Sequence, residues 1–236
     1  MTAADKYTTI AENQHRIYQA GYDKGKAEGG EVGDDYVVEA PPKTIKTYTD
    51  NRSMGFANNA FKGFTELTTV TVPNALVIGQ RAFEGCSKLE FMQIGCATRI
   101  DTFAFKDCTG LRKFINGYSD YDFQDGNIAT QAFSGCTNLE IVDLTWFCGV
   151  LSTACFEKCS NLKTVIFRND IQASSTYDPT LFAGTPIGLG NGYIYVPSKF
   201  LADYQGVFTK YADQIRALED YTVDGSTYGE LDETKI

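Results

Sequence analysis

Ala82-Phe83-Glu84-Gly85-Cys86-Ser87-Lys88-Leu89 decides the fold, because the same block returns along the chain. It stands upstream as Ala60-Phe61-Lys62-Gly63-Phe64-Thr65-Glu66-Leu67 and downstream as Ala104-Phe105-Lys106-Asp107-Cys108-Thr109-Gly110-Leu111. Further copies are Ala132-Phe133-Ser134-Gly135-Cys136-Thr137-Asn138-Leu139 and Cys155-Phe156-Glu157-Lys158-Cys159-Ser160-Asn161-Leu162, and Leu181-Phe182-Ala183-Gly184-Thr185 is a degenerate last one. The phenylalanines are spaced by 22, 22, 28, 23 and 26 residues, a unit of 22 with insertions in the third and fifth intervals.

After each repeat leucine (Leu67, Leu89, Leu111, Leu139, Leu162), apolar residues recur at the third and often the fifth position: Val70 and Val72, Met92 and Ile94, Phe114, Val142 and Leu144, Val165 and Phe167. That alternation predicts a short strand with one face buried. A second apolar pulse precedes the next Ala-Phe, at Ile78, Ile100, Ile128 and Val150. One such unit cannot bury its own apolar face, so the units must stack. The expected fold is an α/β solenoid of about six units of 22–28 residues, with a helix before it and a helical cap after it.

Stacking also accounts for the cysteines. Cys86, Cys108, Cys136 and Cys159 each lie three residues after a repeat phenylalanine. Equivalent positions on adjacent coils sit about 4.7–4.9 Å apart with parallel side-chain directions, whereas a disulfide needs converging Cβ atoms about 3.8 Å apart. A ladder of free, buried thiols is expected rather than a chain of bridges.

The repeated A-F-x-G-C-x-x-L-x-x-V block, with an apolar residue before each Ala-Phe, resembles the BspA-type leucine-rich repeat over residues 55–197. The resemblance implies a non-enzymatic adhesion or interaction scaffold without a cofactor, from a bacterial surface protein or a phage protein. It implies a virion component as the first placement and a bacterial cell-surface adhesin as the second, and an intracellular scaffold stays open.

Outward from the repeats, residues 1–30 carry apolar positions at helical spacing and read as a helical leader for docking to other virion proteins or for self-association. Residues 31–54 read as a linker and N-terminal cap. Residues 198–221 are apolar at Phe200, Leu201, Tyr204, Phe208, Tyr211, Ile215 and Leu218, which suits a helical cap, and residues 222–236 form an acidic tail. Charge follows the same boundaries: acids and bases number 8 and 5 over residues 1–43, 14 and 13 over 44–202, and 8 and 3 over 203–236.

The net charge of −9 disfavours nucleic acid and anionic lipid as partners. No stretch of 18 apolar residues would insert into a membrane. One histidine, His15, and seven cysteines without a C-x-x-C pair leave little for His-based catalysis or zinc.

Two features could bind a cell-surface protein or glycan. The insertion Gly117–Asn127 interleaves Tyr118, Tyr121 and Phe123 with three carboxylates, but misses calcium-loop spacing. On the strands, Phe91, Ile115, Ile141 and Ile166 fall on outward positions and form an apolar stripe. That stripe is either an interaction surface or the floor under the inserted loops.

Overall fold

The computed structural model describes residues 43–223 and 226–227, apart from 51–54, 74, 95–96, 98, 117–125, 145–148 and 169–176. The leader 1–30, most of the linker, the acidic tail, Cys96, Cys148 and the Tyr118/Tyr121/Phe123 cluster lie outside the described residues.

The chain runs through β1 (Thr47–Thr49), β2 (Gly55–Phe56), β3 (Thr69–Val72), β4 (Val77–Ile78), β5 (Phe91–Ile94), β6 (Arg99–Ile100) and β7 (Lys113–Asn116). It continues through β8 (Gly126–Ile128), β9 (Ile141–Leu144), β10 (Gly149–Leu151), β11 (Thr164–Phe167), β12 (Tyr193–Val196), helix α1 (Leu201–Val207) and β13 (Ile215–Ala217). Odd-numbered strands β1 to β11, then β12 and β13, form an eight-stranded sheet; the even-numbered strands β2 to β10 form a five-stranded one. Neighbours in both are parallel, with Thr69 opposite Phe91 and Phe91 opposite Lys113. The molecule is a β-solenoid of about six turns. Between the first and last repeat blocks no α-helix occurs among the described residues; tight corners join the strands there, and helix α1 follows the repeats, on the side where the expected fold has its helical cap.

Those corners explain the Ala-Phe-x-Gly sequence. Gly63, Gly85, Gly135 and Gly184, each two residues after a repeat phenylalanine, have φ of 71–79°. Asp107 and Lys158 hold the same left-handed conformation despite a Cβ, at about 1–2 kcal/mol each. A second left-handed residue stands two before the phenylalanine in five coils: Asn59, Arg81, Phe103, Gln131 and Ala154. With both turns made, corner N–H groups bond forward to the next coil. The Phe61, Phe83, Phe105 and Phe133 amides donate to Ala82, Ala104, Ala132 and Cys155 carbonyls at 2.7–2.8 Å. The corner is thus a third hydrogen-bonded ladder, and its buried backbone is satisfied without sheet pairing.

Inside, the six phenylalanines form one column. Successive rings from Phe61 to Phe182 are stacked, with centroids 4.9–5.7 Å apart and planes within 22°. Tyr211 closes the far end edge-on against Phe182. All five repeat leucines are fully buried beside this column.

The four ladder cysteines are free and buried. Each thiol donates to the repeat phenylalanine carbonyl one coil earlier: Cys86 to Phe61, Cys108 to Phe83, Cys136 to Phe105, Cys159 to Phe133, at 3.0–3.1 Å. The position therefore needs a small apolar side chain that is also a weak donor, which is what a cysteine offers. No repeat phenylalanine precedes Phe61 in the sequence, and the first copy carries Phe64 at this position, packed edge-on to Phe61. Burial pushes the thiols of Cys108, Cys136, Cys155 and Cys159 well above their ordinary value. Thiolate is therefore scarce near pH 8, and these four are expected to resist a maleimide in the native protein and react once it is unfolded. A free-thiol count that stays low after unfolding without reductant would mean bridges instead.

Three expectations change. The second apolar pulse ends on Leu151, which pairs with Ile128 and is buried, whereas Val150 is 41% exposed. Leu151, like Ile78, Ile100 and Ile128, stands five residues before its phenylalanine, and Val150 stands six. The segment 198–221 is not helical throughout: α1 has seven residues, a 3₁₀ turn spans Thr209–Gln214, and β13 then pairs with β12. An uncovered β12 would leave its outer amides and carbonyls open, which a strand satisfies and a helix cannot. The sheet also begins earlier than residue 55, since β1 pairs with β3.

Candidate functional site

Strand alternation gives the long sheet two outward rows, set by offset from the repeat leucine. Residues two after it form the first row: Thr69, Phe91, Lys113, Ile141 and Thr164, continued by Tyr193. Residues four after it form the second: Thr71, Gln93, Ile115, Asp143 and Ile166, continued by Tyr195 and Arg216.

This register revises the apolar stripe. Phe91 and Ile141 belong to the first row, while Ile115 and Ile166 belong to the second, so the four zigzag instead of aligning. Phe91 is 46% exposed, Ile115 and Ile141 are half-buried, and Ile166 is fully buried. The stripe is open at Phe91 and closed at Ile166.

Beside Ile166 lies a buried ion pair. Arg168 Nε donates to Asp143 Oδ1 at 3.1 Å and its Nη2 to Oδ2 at 2.8 Å. The side chains are only 11% and 2% exposed. Two parallel charge-assisted bonds fix the guanidinium in plane with the carboxylate. The pair locks β9 to the end of β11 across one coil.

At the C-terminal end of the face stands an aromatic group that the sequence reading missed. Tyr193 is 42% exposed. The Arg216 guanidinium carbon lies 4.8 Å from the Tyr193 ring centroid. Tyr195 is 6.1 Å from Tyr193 and 4.6 Å from Tyr221, centroid to centroid. Burial raises the Tyr195 phenol above its ordinary value, with Tyr193 and Asp220 adding to it and Arg216 opposing. The Tyr193-Ile194-Tyr195 alternation signals two outward tyrosines; Arg216 joins them only through the β12–β13 pairing.

The described residues hold no group of three or more His, Cys, Asp or Glu side chains placed to bind a metal ion. No helix among them is long and apolar enough to cross a membrane.

A family model for the BspA type leucine rich repeat region matches in six copies, over residues 44–129 and 96–188. The chain belongs to this family. Among solved structures, the BspA-type chain is similar to the pneumococcal vaccine antigen PcpA, at 16% identity and a TM-score of 0.57, over 76% of this chain and 42% of that one. It thus spans less than half of the pneumococcal protein, and the likeness is one of fold. A leucine-rich repeat protein of T. pallidum (TpLRR) aligns at 19% identity and a TM-score of 0.45, over 70% of this chain and 84% of that one. No curated protein matches the sequence. Membership of the BspA-type family brings a repeat scaffold suited to protein interaction, and neither it nor the fold supports the virion placement.

Proposed function

We propose that the protein is a non-enzymatic recognition scaffold, of adhesin type, whose long-sheet outer face binds a protein partner at a bacterial surface. The observation that carries this reading is the first outward row. Phe91 and Tyr193 are two of the four exposed large apolar side chains among the described residues, and both stand in that row. Four strand steps separate them, about 19 Å at the usual strand spacing, with Ile141 between. Isolated exposed apolar residues are ordinary on any surface. Two in one row of a rigid parallel sheet, beside Ile115 and Ile141, form a platform that a partner can desolvate. Tyr118, Tyr121 and Phe123 follow directly on β7 in the sequence and are proposed to extend the same contact.

The test is binding to an array of extracellular proteins, followed by Phe91→Ala/Ile141→Ala on the best hit. A loss of at least tenfold in affinity, about 1.4 kcal/mol, with an unchanged melting temperature is expected. Full affinity in the double variant would remove the outer face as the binding surface.

A further inference from the structure

Arg216 is held more firmly than an exposed arginine usually is. Its Nη1 donates to the carbonyls of Asp213 and Ile215, both at 2.8 Å, and its guanidinium carbon lies over the Tyr193 ring. Nη1 is therefore engaged by backbone, and the edge formed by Nε and Nη2 is the remaining donor pair. Among the described residues no carboxylate forms an ion pair with Arg216, although three acids are close in sequence. Glu219 instead accepts from the Ser198 amide and hydroxyl. Asp213 contributes its carbonyl, and Asp220 lies near the Tyr195 phenol.

We propose that the Nε–Nη2 edge of Arg216 receives a carboxylate from an acidic segment of the protein partner. The inference rests on the scaffold reading above and names the chemistry of one end of that face. A side-on guanidinium matches a carboxylate bidentately. Because backbone carbonyls and a ring already fix its plane, little side-chain freedom is lost on binding. Arginine and tyrosine in contact are also the residue types that dominate interface energetics. Lys163, exposed just before β11, adds a second cation, and its carbonyl accepts from the Tyr193 amide at 2.8 Å. An acidic peptide is favoured over an acidic sugar. A sugar needs an open ring face, and here Arg216 covers one face of Tyr193 while Tyr195 and Tyr221, both half-buried, lean together at 46°.

The experiment is selection of a random dodecamer display library on the full chain and on Arg216→Gln. The wild-type pool is expected to be at least threefold richer in Asp and Glu than the Arg216→Gln pool. The leading synthetic peptide should lose about tenfold in affinity on Arg216→Gln, and equally when its own acids become amides. Arg216→Lys should fail to restore binding, since it keeps the charge and loses the fork. Equal acid content in the two pools, or wild-type affinity in Arg216→Lys, overturns the proposal, as does binding of polysialic acid with no acidic peptide recovered. For the array partner, loss with Phe91→Ala/Ile141→Ala but not with Arg216→Gln removes only the arginine anchor. Retention in both removes the scaffold reading as well.

Discussion

Replacing Phe133 by alanine is expected to lower folding stability by about 3–5 kcal/mol, at the upper end for a core aromatic. Its ring is fully buried between Phe105 at 4.9 Å and Phe156 at 5.4 Å, with Phe114 edge-on at 4.9 Å. The cost of a deleted side chain depends on how far its surroundings can collapse. Here they cannot, because neighbouring coils are held apart by fixed hydrogen bonds: the Phe105 amide to Ala132, the Phe133 amide to Cys155, and the Cys136 thiol to the Phe105 carbonyl. The gap left by the ring persists, and the column is cut into two shorter stacks. Urea unfolding of the variant measures this, and a loss under about 1 kcal/mol would show that the column is filler rather than frame.

Arg168→Met is expected to cost about 3 kcal/mol, because it takes the guanidinium from the Asp143 carboxylate, whose side chain is only 2% exposed. The companion variant decides the cause. Asp143→Leu combined with Arg168→Met removes both charges and should recover most of the loss, since a buried ion pair replaced by apolar groups is often close to neutral. A double variant as unstable as the single one would mean that the arginine acts through packing alone. Both are read by thermal and urea melts at one pH.

What could be read from the sequence followed the period. Phe83, Cys86 and Leu89 recur at fixed offsets, so the strands, the buried thiols and the stacked rings were all accessible from one block. Reading failed where an insertion changed the count, as at Val150 and Leu151, where the offset to the next phenylalanine gives the right register. The apolar stripe divides into two rows. Phe91 and Ile115 are both outward, yet they stand two and four residues after their leucines, an offset that already separates the rows and that the pairing of Phe91 with Lys113 matches. Beyond the repeats no period helps. Ile215 and Leu218 suit a helix by spacing, but the open edge of β12 draws Ile215–Ala217 into the sheet, and Arg216 meets Tyr193 only through that pairing.

The forward-pointing corner bonds carry a last consequence. From Phe61 to Phe133 each coil offers a phenylalanine amide ahead and a carbonyl behind, so these corner junctions use one repeated bond. A 22-residue unit can be duplicated or excised between two corners without disturbing those that remain. The outer face of the long sheet would then lengthen or shorten in steps of about 4.8 Å, a quantised reach that recombination between repeats can tune while the composition of the core stays constant.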